Sequence, residues 1–224
     1  EGQTVLKDLN LHVRPGERIA LVGPTGAGKS TVVNLLCRFY NLRGGKITLK
    51  CEDGSEQDIS QVTLESLRSQ LGIMLQDSFI FSGTILSNIR YGKLDATDEE
   101  VITAAKAVCA HEFIDQMPQR YQTPVNERGS GLSQGQKQLI AFARTLLSDP
   151  KILILDEATS SIDTKTERLL QQGIEALLKG RTSFIIAHRL STIKSCDRIL
   201  FIGDGGILEA GSHDELMAKK GRYY

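Results

Sequence analysis

The chain has 224 residues, 40% of them hydrophobic, which suits one large domain, or a domain with an inserted lobe, better than two independent ones. Its 27 basic side chains are balanced by 27 acidic ones, so no basic excess is present to neutralise a nucleic-acid backbone, and nucleic acid is a poor partner class. Cys37, Cys51, Cys109 and Cys196 form no CxxC pair, which argues against a zinc site or disulfide framework, and no apolar run approaches the roughly 18 residues that span a bilayer.

The chain opens on Glu1 rather than Met, and residues 6–13 (LKDLNLHV) alternate like a strand without an evident partner, so it reads as part of a longer polypeptide. Residues 18–22 are a short apolar run ending in a Gly-rich turn. Residues 29–40 carry apolar side chains at helical spacing, and strand, loop and helix in this order open a parallel α/β sheet. After Gly44-Gly45, residues 46–50 alternate as a strand, 63–70 read as helix and 72–75 as strand, with Gln76 at its end. From residue 77 to 150 the β signal nearly vanishes, and Thr97-Asp98-Glu99-Glu100 is a capping box that opens a helix to about residue 110. An inserted helical lobe is expected there. Residues 152–155, 182–187 and 198–202 are apolar throughout or nearly so, as buried parallel strands are, with a helical stretch over 164–178. Ser212 to Glu215 is a second capping box, opening the last helix.

Two segments carry recognisable chemistry. Gly23-Pro24-Thr25-Gly26-Ala27-Gly28-Lys29-Ser30, followed by Thr31, fits GxxxxGK[ST], in which backbone N–H groups wrap phosphates at a helix N-terminus. Lys29 is expected to reach the β and γ phosphates, and the Ser30 hydroxyl to bind Mg²⁺. Ile152-Leu153-Ile154-Leu155-Asp156-Glu157 puts two acids at the C-terminal end of a buried strand, where ligands gather in open α/β sheets. Asp156 is the candidate to hold Mg²⁺ through water. Glu157 is the candidate to polarise an attacking water.

Between these segments stands Leu132-Ser133-Gln134-Gly135-Gln136. An LSxGQ element placed between a phosphate loop and an aspartate strand resembles the signature of the ATP-binding cassette (ABC) proteins, and the likeness to an exporter-type ABC nucleotide-binding domain covers essentially the whole chain. The resemblance implies a P-loop NTPase (RecA-like) α/β fold: a mostly parallel sheet core, about 1–76 and 150–224, with a small antiparallel β subdomain and an inserted helical subdomain, about 77–149. It implies an ATPase with ATP and Mg²⁺ as cofactors, a transmembrane domain upstream, and a place on the cytoplasmic face of a membrane.

The resemblance also assigns roles. Gln76 touches Mg²⁺ while its loop moves, and His188, ending the apolar run Ile185-Ile186-Ala187, contacts the γ-phosphate and the catalytic water. Ser133, Gly135 and Gln136 act in trans, on ATP bound to a second nucleotide-binding domain in a head-to-tail dimer. Phe79-Ile80-Phe81-Ser82-Gly83-Thr84-Ile85 with Asn88-Ile89 looks like the exporter form of the loop after Gln76, its apolar side chains serving either packing or a partner. Thr123-Pro124-Val125-Asn126-Glu127-Arg128-Gly129 resembles the TEVGERG element that faces the membrane domain, with Pro124 and Asn126 as departures. Ser160-Ser161-Ile162-Asp163 resembles the dimer-facing SALD loop, although Asp163 is equally placed to cap the next helix.

Two features depart from the pattern. Residues 1–22 contain no aromatic to stack on adenine, which truncation explains most simply, and Gln134 stands where the usual signature has glycine, adding a Cβ where backbone meets phosphate. With the chain's own Lys29, Asp156, Glu157 and His188 intact, Gln134 favours a heterodimer with a consensus-signature partner over a homodimer. Rival readings are a soluble cassette ATPase acting on nucleic acid or ribosomes, and a nucleotide-gated interaction module without turnover. The presence of both Glu157 and His188 argues against the second.

Overall fold

A computed structural model of the chain describes residues 6–75, 78–157 and 163–224. In chain order its elements are β1 (Arg18–Val22), α1 (Lys29–Leu36), β2 (Thr48–Lys50), β3 (Glu56–Asp58), α2 (Leu64–Ser69), β4 (Leu71–Met74), β5 (Gly83–Thr84), α3 (Ile85–Arg90), α4 (Asp98–Ala107) and α5 (His111–Asp115). There follow β6 (Pro124–Val125), α6 (Gln134–Leu147), β7 (Ile152–Asp156), α7 (Thr164–Leu178), β8 (Thr182–Ile186), α8 (Leu190–Lys194), β9 (Arg198–Gly203), β10 (Gly206–Gly211) and α9 (His213–Lys219). They divide into two compact units, Glu1–Leu71 with Ile154–Glu157 and Thr182–Tyr224, and Gly72–Leu153 with Ala158–Arg181.

In the first unit β1 runs parallel to both β8 and β9, with Ala20 opposite Ile185 on one side and Ile199 on the other, and the strands lie in the order β10-β9-β1-β8-β7. Ile19, Ala20, Leu21, Ile154, Ile185, Ile199 and Ile202 are all 0% exposed, which is why these strands read as unbroken apolar runs rather than alternating ones. The fold is thus α/β with a mainly parallel core. A separate antiparallel pair, β2 with β3, joins Thr48 to Asp58 and Lys50 to Glu56.

Three local expectations are corrected. Residues 6–13 form no strand; Lys7 N–H donates to Gly205 O at 2.5 Å, but no ladder follows. The helix expected over 29–40 ends at Leu36, because Arg38 turns into the left-handed region, φ 50°, and its guanidinium donates to Ile59 O at 2.8 Å and Val62 O at 2.6 Å. β10, not expected at all, returns antiparallel to β9 through Asp204-Gly205, whose positive φ values of 48° and 86° are those of a tight hairpin turn.

The second unit is mostly helical. α4 opens on the expected capping box, Thr97 Oγ1 accepting from Glu100 N–H and Glu100 Oε2 from Thr97 N–H. α6 is the hub of a buried polar cluster: Arg144 donates to Asn88 O at 2.8 Å, to Asn88 Oδ1 at 3.0 Å and to Phe79 O at 3.0 Å. Asn88, 1% exposed, in turn donates to Phe81 O and Thr84 O and accepts from Phe81 N–H, each at 2.9 Å. Only a planar fork reaches three such acceptors at once. Arg144→Ala is therefore expected to cost about 3 kcal/mol and lower the thermal midpoint by roughly 6–12 °C, with Arg144→Lys recovering little of it. Calorimetry decides the point, and an unchanged midpoint for Arg144→Ala would mean the cluster contributes nothing.

Candidate functional site

The first unit gathers its chemistry at the C-terminal ends of adjacent strands. The loop from Gly23 to Gly28 leaves β1 and enters α1 at Lys29. Gly28 occupies the helix cap with φ 104° and no side-chain cap, a backbone that only glycine holds without strain and that leaves the first N–H groups of α1 free of any capping side chain. A turn closes the loop, Ala27 N–H donating to Pro24 O at 3.2 Å. Lys29 lies across it, its Nζ donating to Gly23 O at 2.6 Å and Pro24 O at 2.9 Å. Burial holds the Lys29 ammonium below its usual pKa, against the pull of the negative Asp156. The Ser30 hydroxyl is on an exposed residue at the start of the helix, and Thr31 follows half-buried.

β7 ends beside β8, where Glu157 N–H donates to Ile186 O at 3.1 Å. The two acids at this end meet different surroundings. Burial raises the Asp156 carboxyl, while the charges of His188 and Lys29 hold it down, so these three groups share one electrostatic neighbourhood. A carboxyl raised in this way stabilises the fold fully below its unfolded pKa and loses that contribution as pH rises through the folded one. Ionising Asp156 therefore carries a burial cost that further positive charge would offset. Glu157, 4% exposed, is held by three donors: His188 N–H at 3.0 Å and Arg189 N–H at 3.1 Å on Oε2, and the Thr192 hydroxyl at 2.5 Å on Oε1. The His188 side chain itself is exposed.

The second unit carries the LSxGQ element at the start of α6. Ser133 is the cap: its Oγ accepts from Gln136 N–H at 3.2 Å, while Gln136 Oε1 accepts from Ser133 N–H at 3.0 Å. That box commits the Gln136 carbonyl oxygen but leaves the Ser133 O–H proton free to donate. Gln134 is the first helical residue, a position any L residue adopts, so its Cβ costs the fold nothing. Gly135 is different: an added Cβ would lie 2.2 Å from Thr166 Cγ2, so packing of α6 on α7 demands glycine there.

Two segments within the second unit meet through their backbones. β5 pairs antiparallel with β6, Gly83 opposite Val125 and Thr84 opposite Pro124, and Arg128 N–H donates to Ile80 O at 3.1 Å. Asp163 caps α7, its Oδ1 accepting from Thr166 N–H at 3.0 Å. Gln76 and the segment Ser160-Ser161-Ile162 lie outside the described residues. Thr192 was not singled out in the sequence; it stands 35 residues from its partner, and no spacing rule links them. Among the described residues no helix is long and apolar enough to cross a membrane, and no three His, Cys, Asp or Glu side chains form a metal cage.

Comparison with known proteins gives a consistent picture. The family model described as ABC transporter matches residues 6–160. The uncharacterized ABC transporter ATP-binding protein YfiC of Bacillus subtilis (strain 168) is 55% identical over 223 residues, all of this chain but 36% of that protein. The fatty acid ABC transporter ATP-binding/permease protein of Mycobacterium tuberculosis (strain CDC 1551 / Oshkosh) is 50% identical over 223 residues, 100% of this chain and 34% of that one. Among solved structures, that of a bacterial Atm1-family ABC exporter with ATP bound superposes with a TM-score of 0.87 at 47% identity, over 98% of this chain and 37% of the other. The chain thus spans about a third of the length of these relatives.

Proposed function

The chain belongs to the ABC transporter family, and from that premise we propose that it is the engine of a membrane exporter, hydrolysing ATP between two such domains to drive a transmembrane domain carried elsewhere in the assembly. Its family is one of ATP-binding domains of exporters. The observation that carries the finer reading is the convergence of three strand ends in one unit: β1 delivers the phosphate loop, β7 delivers Asp156 and Glu157, and β8 delivers His188. Ligands of open α/β sheets collect at this edge.

In this reading Gly23 through Thr31 wrap the phosphates, and Lys29 exchanges the Gly23 and Pro24 carbonyls for phosphate oxygens. Ser30 and Asp156 supply hard oxygen donors of the kind Mg²⁺ accepts alongside phosphates, and the cost of ionising the half-buried Asp156 supports a cation there. Gln76 is proposed as a further oxygen donor. When bound, the ion neutralises charge building on the phosphates. Glu157 orients the attacking water and takes its proton, and His188 holds the γ-phosphate end of the site. The whole chain is read as one nucleotide-binding domain, core about 1–76 and 150–224 and helical subdomain about 77–149, on the cytoplasmic face of the membrane.

Ser133, Gly135 and Gln136 are assigned to the ATP of a second domain, where the N-terminus of α6 favours an anion. Because Gln134 does not disturb the helix, its effect falls wholly on what that N-terminus meets, which favours a heterodimer whose partner carries the usual glycine. The purified chain is then expected to turn over ATP slowly in Mg²⁺, and Gln134→Gly to raise the rate about tenfold by readmitting close backbone approach. Phosphate release measures both. Robust hydrolysis unchanged by Gln134→Gly would replace the heterodimer with a homodimer, and no hydrolysis by either protein would remove the ATPase reading.

A further inference from the structure

The Glu157 carboxylate is not a free side chain aimed at solvent. A carboxylate offers about four lone-pair positions, and three are taken: two on Oε2 by consecutive backbone N–H groups, His188 at 3.0 Å and Arg189 at 3.1 Å, and one on Oε1 by Thr192 at 2.5 Å. Oε2 is saturated by main chain that no side-chain change removes. Oε1 keeps a lone pair able to take a proton from water, and its partner among the described residues is the Thr192 hydroxyl. Thr192 is 0% exposed, so it touches no ligand itself; its hydroxyl must donate, since a carboxylate only accepts. It sits in α8, whose backbone follows directly on His188 and Arg189, and its own carbonyl accepts from Ser195 Oγ at 2.9 Å.

We propose that Thr192 is the positioning residue of the hydrolytic site: it fixes the orientation of Glu157 Oε1 and ties the carboxylate to the His188 segment, so that acid and histidine move as one hydrogen-bonded unit. The inference rests on the reading of Glu157 as the group that polarises water. The step itself is unchanged in balance: water gives its proton to Oε1 as its oxygen attacks the γ-phosphorus and the bond to the leaving ADP oxygen breaks.

Thr192→Val keeps the shape and removes the donor. It is expected to lower kcat about 10-fold to 10²-fold with KM for ATP unchanged, and Thr192→Ser, which keeps the hydroxyl, to restore turnover to within about twofold. Thr192→Ala measured against Thr192→Ser isolates the same oxygen without a buried Val, and covers the case in which Thr192→Val folds poorly. Because Thr192 works through Glu157, adding Thr192→Val to Glu157→Gln should lower the rate no further, whereas a loss of general packing would add to it. Equal turnover by the Ser and Ala variants, or an additive loss in the double variant, overturns the proposal. The reading beneath it fails separately, by normal turnover in Glu157→Gln alone.

Discussion

Replacing Glu157 with Gln is expected to lower ATP turnover by roughly 10²-fold to 10⁴-fold and to leave ATP binding intact. The substitution keeps the length and planarity of the side chain, and its carbonyl oxygen can still accept from His188 and Arg189 N–H, which hold Oε2 at 3.0 and 3.1 Å. What it loses is the charge and the basic lone pair on the second oxygen. An amide NH₂ at that position would face the Thr192 hydroxyl, now 2.5 Å from Oε1, and the hydroxyl must rotate to accept. The fold should barely notice, so phosphate release falls while nucleotide titration and thermal midpoint stay near those of the native chain. Near-normal hydrolysis would remove Glu157 from its role.

The second large effect is on binding. Lys29→Ala removes a side chain that reaches back over the phosphate loop, with Nζ on Gly23 O at 2.6 Å and Pro24 O at 2.9 Å. A contact between an ammonium and a phosphate contributes about 1.5–3 kcal/mol, so ATP is expected to bind roughly 10-fold to 150-fold more weakly. ADP should lose less, because the γ-phosphate is one of the two groups assigned to Lys29. Titration calorimetry with both nucleotides measures it, and equal losses would place Lys29 away from the γ-phosphate.

How much of this was legible in the sequence follows from how local each cause is. The buried strands β1, β7, β8 and β9 announce themselves because their central positions are buried and form apolar runs, with polar residues confined to the ends. The capping boxes of α4 and α9 are read from residues three apart. β10 was missed although Asp204-Gly205 is a hairpin signal, since GILEAG has little of the β-branched character of a strand. The pairing of β5 with β6 was invisible: each is two residues long, and nothing local brings Gly83 to Val125. Gln134 drew attention as a lost glycine, yet the structure puts the steric demand on its neighbour Gly135 through Thr166, a contact between two helices. The Glu157–Thr192 bond belongs to the same class, chemistry made by the fold rather than by spacing.

In the proposed mechanism ATP joins two of these domains and hydrolysis parts them. The mass in solution of the Glu157→Gln chain, with Mg²⁺ and ATP and again with Mg²⁺ and ADP, tests it most directly. At a concentration that also populates self-pairing through the Gln134 signature, ATP is expected to give twice the mass of the chain and ADP the mass of one. A single-chain mass with both nucleotides, persisting after Gln134→Gly is added, would contradict it.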